Sequence, residues 1–128
     1  MTELEQFARD LYAAAPGLRE AVRGDADPDP DIPTLWAGTV GRALAATLTS
    51  LSLDAQTATF AVVERHLAGG SQLLRDVIAT GLLEALASEV SGGRLDGPTL
   101  AGLLGPQSRA YLDAWDQLTL GRSSLGPS

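Results

Sequence analysis

The chain has 128 residues, a formal charge of −7 from 16 acids against nine bases, and no cysteine. Without cysteine there are no disulfides, no thiol catalysis and no thiolate metal sites. The negative balance argues against phosphate backbones and anionic membrane surfaces, both of which call for clustered positive charge. All nine bases are Arg, and Lys and Asn are absent, a bias typical of GC-rich bacterial genomes. The length suits one domain, and an apolar share of 45% is enough to build a core. The start "MTELEQFARDLYAAA" lacks the basic region and apolar run of a signal peptide. No window approaches the ~18 apolar residues of a membrane helix. A cytoplasmic setting is the expectation.

In chain order, Thr2 caps a first helix with Glu3 and Glu5 in its first turn, and Leu4, Phe7, Leu11 and Tyr12 form one apolar stripe. "PGLREAVRG" predicts about two turns, with Leu18 and Val22 four apart. The segment "GDADPDPDIPT" follows at 24–34. Thr34 is the expected cap of a third helix whose stripe is Leu35, Val40, Leu44 and Leu48, with Gly38 and Gly41 allowing close packing. "LTSLSL" at 48–53 is the one place for a short strand. A fourth helix, with Asp54 as cap, turns Phe60, Val63 and Leu67 inward. Ser71 caps the clearest helix, where Leu74, Val77, Ile78, Gly81, Leu82, Ala85 and Leu86 keep a 3.6-residue period. Leu73 and Leu83 lie off that stripe and predict cover from a second side. A short helix starts at Pro98, and a last one puts Tyr111, Leu112, Trp115 and Leu118 on one face. The expectation is all-α: a compact bundle of six or seven short helices, one domain over 1–121, with a flexible tail at 122–128.

The acidic loop invites comparison with a calcium loop. Asp25, Asp27 and Asp29 match the first three ligand positions of an EF-hand. Pro30 then stands where glycine is needed and Trp36 where a bidentate acid is needed, so calcium is not expected. Prolines restrict Asp27, Asp29 and Ile32 to extended backbone, which predicts a stiff run of like charges. His66 is the only histidine, which leaves no zinc cluster or catalytic triad to assemble. Glu64 and Glu84 would act as an acid/base pair only if they converged. "AGTVGRA" and "LAGGSQ" match no phosphate-binding loop. No metal, cofactor or enzymatic activity is expected.

In the C-terminal half, "FAVVERHLAGGSQLLRDVIATGLLEALASE" and "LLGPQSRAYLDAWDQL" resemble a family of small, acidic bacterial proteins. There a "(T/S)xxLE" helix precedes a "LGPxSRxYxxxW" helix. The matching residues are Glu64, Thr80, Leu83, Glu84, Leu104, Gly105, Pro106, Ser108, Arg109, Tyr111 and Trp115. Some members lie near polymorphic toxin systems, so the resemblance implies an immunity-type role. The expectation is therefore a non-enzymatic protein that occludes a basic toxin partner, with Asp25, Asp27, Asp29, Asp31, Trp36, Glu64 and Glu84 as contact residues. A homo-oligomer formed through Leu73 and Leu83 or the tail is the alternative. Neither nucleic acid nor membrane is an expected partner.

Overall fold

The computed structural model describes residues 1–22, 24, 26–119 and 125. Asp25 and all of the expected tail except Leu125 lie outside them. The described residues are all-α, without a strand. Helix α1 (Glu3–Ala14) opens on a full capping box, in which the Thr2 hydroxyl accepts from Glu5 N and the Glu5 carboxylate accepts from Thr2 N. Phe7 and Leu11 are fully buried, with Leu4 and Tyr12 at the edge of the same stripe. Helix α2 (Leu18–Val22) buries both of its predicted apolar residues.

Helix α3 (Pro33–Thr47) departs from the expected cap and, at Leu35, from the expected stripe, whose Val40, Leu44 and Leu48 are fully buried. It starts with Pro33 at its first position, where a missing N–H costs nothing, and Thr34 does not cap it. Its inward face is Trp36, Ala37, Gly38, Val40, Gly41 and Leu44, whereas Leu35 is 61% exposed. The segment at 48–53, the one place open to a short strand, is instead a 3-10 turn (Leu48–Ser50) leading to Ser52, in keeping with the all-α expectation. Ser52, not Asp54, caps α4 (Leu53–Gly69), its hydroxyl accepting from Ala55 N at 3.1 Å. Phe60, Val63 and Leu67 point inward as expected.

From Gln72 to Ser91 the chain is one continuous helical run, capped by Ser71, whose hydroxyl accepts from Leu74 N. It divides into α5 (Gln72–Val77), a π-helical turn (Ile78–Leu83) and α6 (Glu84–Ser91). The π-turn is the centre of the molecule. It packs against α3, α4 and α8, which explains why Ile78, Leu82 and Leu83 are all fully buried. Leu83 thus has the second cover its position predicted, while Leu73 is exposed. Asp96 caps the short α7 (Gly97–Ala101), and α8 (Pro106–Thr119) closes the described chain. On α8, Leu112 is buried and Tyr111 and Trp115 are half-buried, but Leu118 points to solvent, contrary to the expected four-residue face. Leu125, in the expected tail, is buried.

Small residues let α3 and the π-turn touch. A methyl carbon on Gly81 would lie 2.5 Å from Ala37 Cβ and 2.8 Å from the Thr34 carbonyl oxygen. One on Gly41 would lie 2.8 Å from both Ala85 Cβ and the Leu82 carbonyl oxygen.

On the opposite side, α1 meets α4 through a polar cluster. Asp10 accepts from Gln6 Nε2 at 2.8 Å and from Arg65 Nη2 at 3.2 Å, and it bonds His66 Nε2 at 2.8 Å. The His66 ring lies edge-on to Phe7, so the histidine is a structural residue at this joint. The His66 bond, reinforced by Gln6 and Arg65, holds the Asp10 carboxyl below its ordinary range. Because folding depresses this pKa, the stabilisation is complete above the unfolded-state value near 3.8 and is lost as pH falls through the folded-state value. Asp10→Asn should therefore narrow the difference in unfolding free energy between pH 6 and pH 3. Denaturant melts of both proteins at the two pH values measure it, and an unchanged difference would show that Asp10 carries no pH-linked stability.

Candidate functional site

The acidic loop is a pinned arm rather than a free extended strand. The carbonyl of Ala26 accepts two hydrogen bonds, from Tyr12 Oη at 2.5 Å and from Trp36 Nε1 at 3.1 Å. Trp36 is consequently buried, with its ring edge-on to Phe7. Its place beside the aspartates reflects a structural hydrogen bond and not a surface hot spot. Asp27 pairs with Arg19 at 3.0 Å, and the Arg19 guanidinium also lies over the Tyr12 ring. Farther along, Asp29 turns the chain: its carboxylate accepts from Asp31 N at 2.9 Å and its carbonyl accepts from Ile32 N at 3.2 Å. Prolines set the local backbone, but tertiary bonds set the path.

The arm presents Asp27, Asp29 and Asp31 to solvent, with Ile32 and Leu35 exposed immediately after them. Asp27, Asp29, Ile32, Leu35 and Thr39 line a hollow of about 310 Å³ floored by Trp36. Leu35 also borders a second, larger groove of about 480 Å³ between α3 and the π-turn, where Arg42, Thr80, Glu84, Ser88 and Trp115 come together. Acidic side chains beside exposed apolar ones on a held backbone form a surface suited to a basic protein partner.

The two helix carboxylates do different work from that expected of them. Glu64, on α4, reaches the start of α8. Its Oε2 accepts from Gln107 N at 2.8 Å, and its Oε1 accepts from Ser108 N at 3.1 Å and from Ser108 Oγ at 3.0 Å. It thereby caps a helix from another part of the chain, satisfying N–H groups that have no partner within the helix. Glu84, on α6, accepts from Tyr111 Oη at 2.5 Å. Burial, then the bond to Glu84, pushes the Tyr111 phenol well above its ordinary range. Glu64 and Glu84 both hold α8 in place. Ser108 and Tyr111 are thus docking points of α8, and Gly105 lies against Glu64 where a Cβ would not fit.

No family model, curated protein or solved structure matches this chain. Among the described residues no group of three or more His, Cys, Asp or Glu is placed to hold a metal ion, and no helix is long and apolar enough to cross a membrane. The oligomer interface expected through Leu73 and Leu83 loses Leu83, which is fully buried, while Leu73 remains exposed beside Leu4, Pro30 and Pro33.

Proposed function

We propose that this chain is a non-enzymatic protein-binding module that takes a basic partner on the face formed by Asp27, Asp29, Asp31, Ile32 and Leu35. In its more specific form the reading is an immunity-type protein that occludes the basic cleft of a toxin. The observation that carries it is the pinned arm. Two exposed carboxylates, Asp27 and Asp29, and two exposed aliphatic side chains, Ile32 and Leu35, share one hollow, with the exposed Asp31 next to them in the chain, on a backbone held by the two bonds to the Ala26 carbonyl. A preordered patch loses little conformational entropy when bound. The formal charge of −7 adds long-range attraction for a cationic surface.

The test uses the product of the adjacent reading frame. Expressed alone it should arrest growth, and co-expression of this chain should restore it. Replacing Asp27, Asp29 and Asp31 together by Ser should slow association by roughly tenfold at low salt, with the two rates converging at high salt. The variant should fold with nearly unchanged stability, because its lost ion pair with Arg19 is exposed and worth little, and a serine hydroxyl at position 29 can accept from the position-31 N–H in place of the carboxylate. An association rate indifferent to salt, or to these three substitutions, would remove the reading.

A further inference from the structure

The contact face does not end at the acidic arm. Leu35, Thr39 and Arg42 follow at i, i+4 and i+7 along α3 and form its outward ridge. Leu35 borders both hollows, so the ridge runs between two depressions: the one with Asp27 and Asp29, and the one with Arg42 and Trp115. A ridge flanked by two grooves is the shape into which a second helix packs. Its charge changes sign along its length. The arm end carries three carboxylates, while about 15 Å away, at a rise of 1.5 Å per residue from Ile32, stands Arg42. Arg42 donates to Thr39 Oγ1 at 3.3 Å and has no carboxylate partner among the described residues. Glu84, in the same groove, is engaged by Tyr111 and does not pair with it.

We propose that the partner element is an amphipathic helix of matching polarity. Basic residues at one end meet Asp27 and Asp29, an aliphatic seam covers Ile32 and Leu35, and an acidic residue about three turns farther on meets Arg42. This rests on the protein-binding reading above and adds to it an orientation and a second, opposite charge. It also explains why overall basicity alone would not select the partner, since a uniformly cationic helix would set a positive charge against Arg42.

Two designed helical peptides of equal composition and net charge test it. Both carry the same Leu seam and an Arg cluster at one end. One places Glu about 15 Å from the cluster and the other places it within one turn of it. Titrated against the ¹⁵N-labelled protein, the separated-charge peptide should bind about three- to fivefold tighter, the range of an exposed ion pair. It should shift the amides of Leu35, Thr39 and Arg42. Arg42→Gln should abolish the preference and Arg42→Glu should reverse it, both with unchanged circular dichroism because Arg42 is exposed. Equal affinities on the parent protein, or a preference that survives Arg42→Glu, would overturn the polarity. If binding still depended on Asp27 and Asp29 in that case, the acidic face would stand without it. If neither peptide moved these amides, both proposals would fall.

Discussion

Gly81→Ala should lower the melting temperature by about 6–10 °C. In an ordinary helix interior this change gains about 1 kcal/mol. Here the added methyl would stand 2.5 Å from Ala37 Cβ and 2.8 Å from the Thr34 carbonyl oxygen. Backbone on one side and a Cβ on the other leave no side chain to swing away, so the helices themselves must separate. Overpacking costs up to about 3 kcal/mol, a net loss of about 2 kcal/mol, and for a chain of this length each kcal/mol moves the melting temperature by about 3–5 °C. Adding Ala37→Gly to the Gly81→Ala variant should recover part of the loss but not all of it, because the Thr34 carbonyl remains. A Gly81→Ala protein as stable as its parent would show that α3 and the π-turn part easily, and that the groove carrying Arg42 is not rigid.

The second large effect concerns Glu64. Glu64→Ala should destabilise the fold by about 2 kcal/mol, toward the middle of the range for hydrogen bonds to a charged group. Three donors lose their acceptor at once: the N–H groups of Gln107 and Ser108, and the Ser108 hydroxyl. Of these, Ser108 is buried, so water replaces the carboxylate poorly there, whereas Gln107 is exposed and regains a water partner. Glu64→Gln keeps one acceptor oxygen and should lose about half as much. Chemical unfolding gives the magnitudes. Amide exchange at Gln107, Ser108 and Arg109 gives the location, and should quicken in Glu64→Ala well before global unfolding. If exchange there is unaltered, the start of α8 is held by something other than Glu64.

What could be read from the sequence was local. The Thr2 and Ser71 caps each span three residues, and both form as predicted; the structure adds the return bond from Thr2 N to Glu5 that completes a capping box. The inward stripes of α1 and α4 are strongly apolar, and they too are in place. Reading failed where the deciding partner was distant or small. On α3, Val40 and Leu44 are buried and Gly41 packs closely as expected, but the first turn faces the core through Trp36 and Ala37, so the periodicity that chose Leu35 missed there. Glu64 and Glu84 were visible as acids on apolar helices. Their acceptor roles lie 43 and 27 residues away on α8, beyond any local pattern. Trp36 was read beside the aspartates because it follows them, yet its N–H is turned back onto Ala26. Composition likewise does not say which acids are committed: Asp10, Glu64 and Glu84 are employed inside the fold, whereas Asp27, Asp29 and Asp31 face solvent.

The π-turn has a consequence for which changes in length the chain tolerates. A π-turn holds one residue more than the α-helical turn it replaces. Deleting one residue between Ile78 and Leu83 would restore ordinary winding, closing the same full turn with one residue fewer, so the side chains beyond it would keep their angular phase relative to α5. Glu84 would still face Tyr111 and Ala85 would still face Gly41. The π-turn therefore absorbs a residue without turning α6 away from its partners. A residue gained or lost in the ordinary α-helical part of the run would instead rotate everything beyond it by about 100°, whereas the same change in the exposed turn at Gly92–Gly93 alters only a connection.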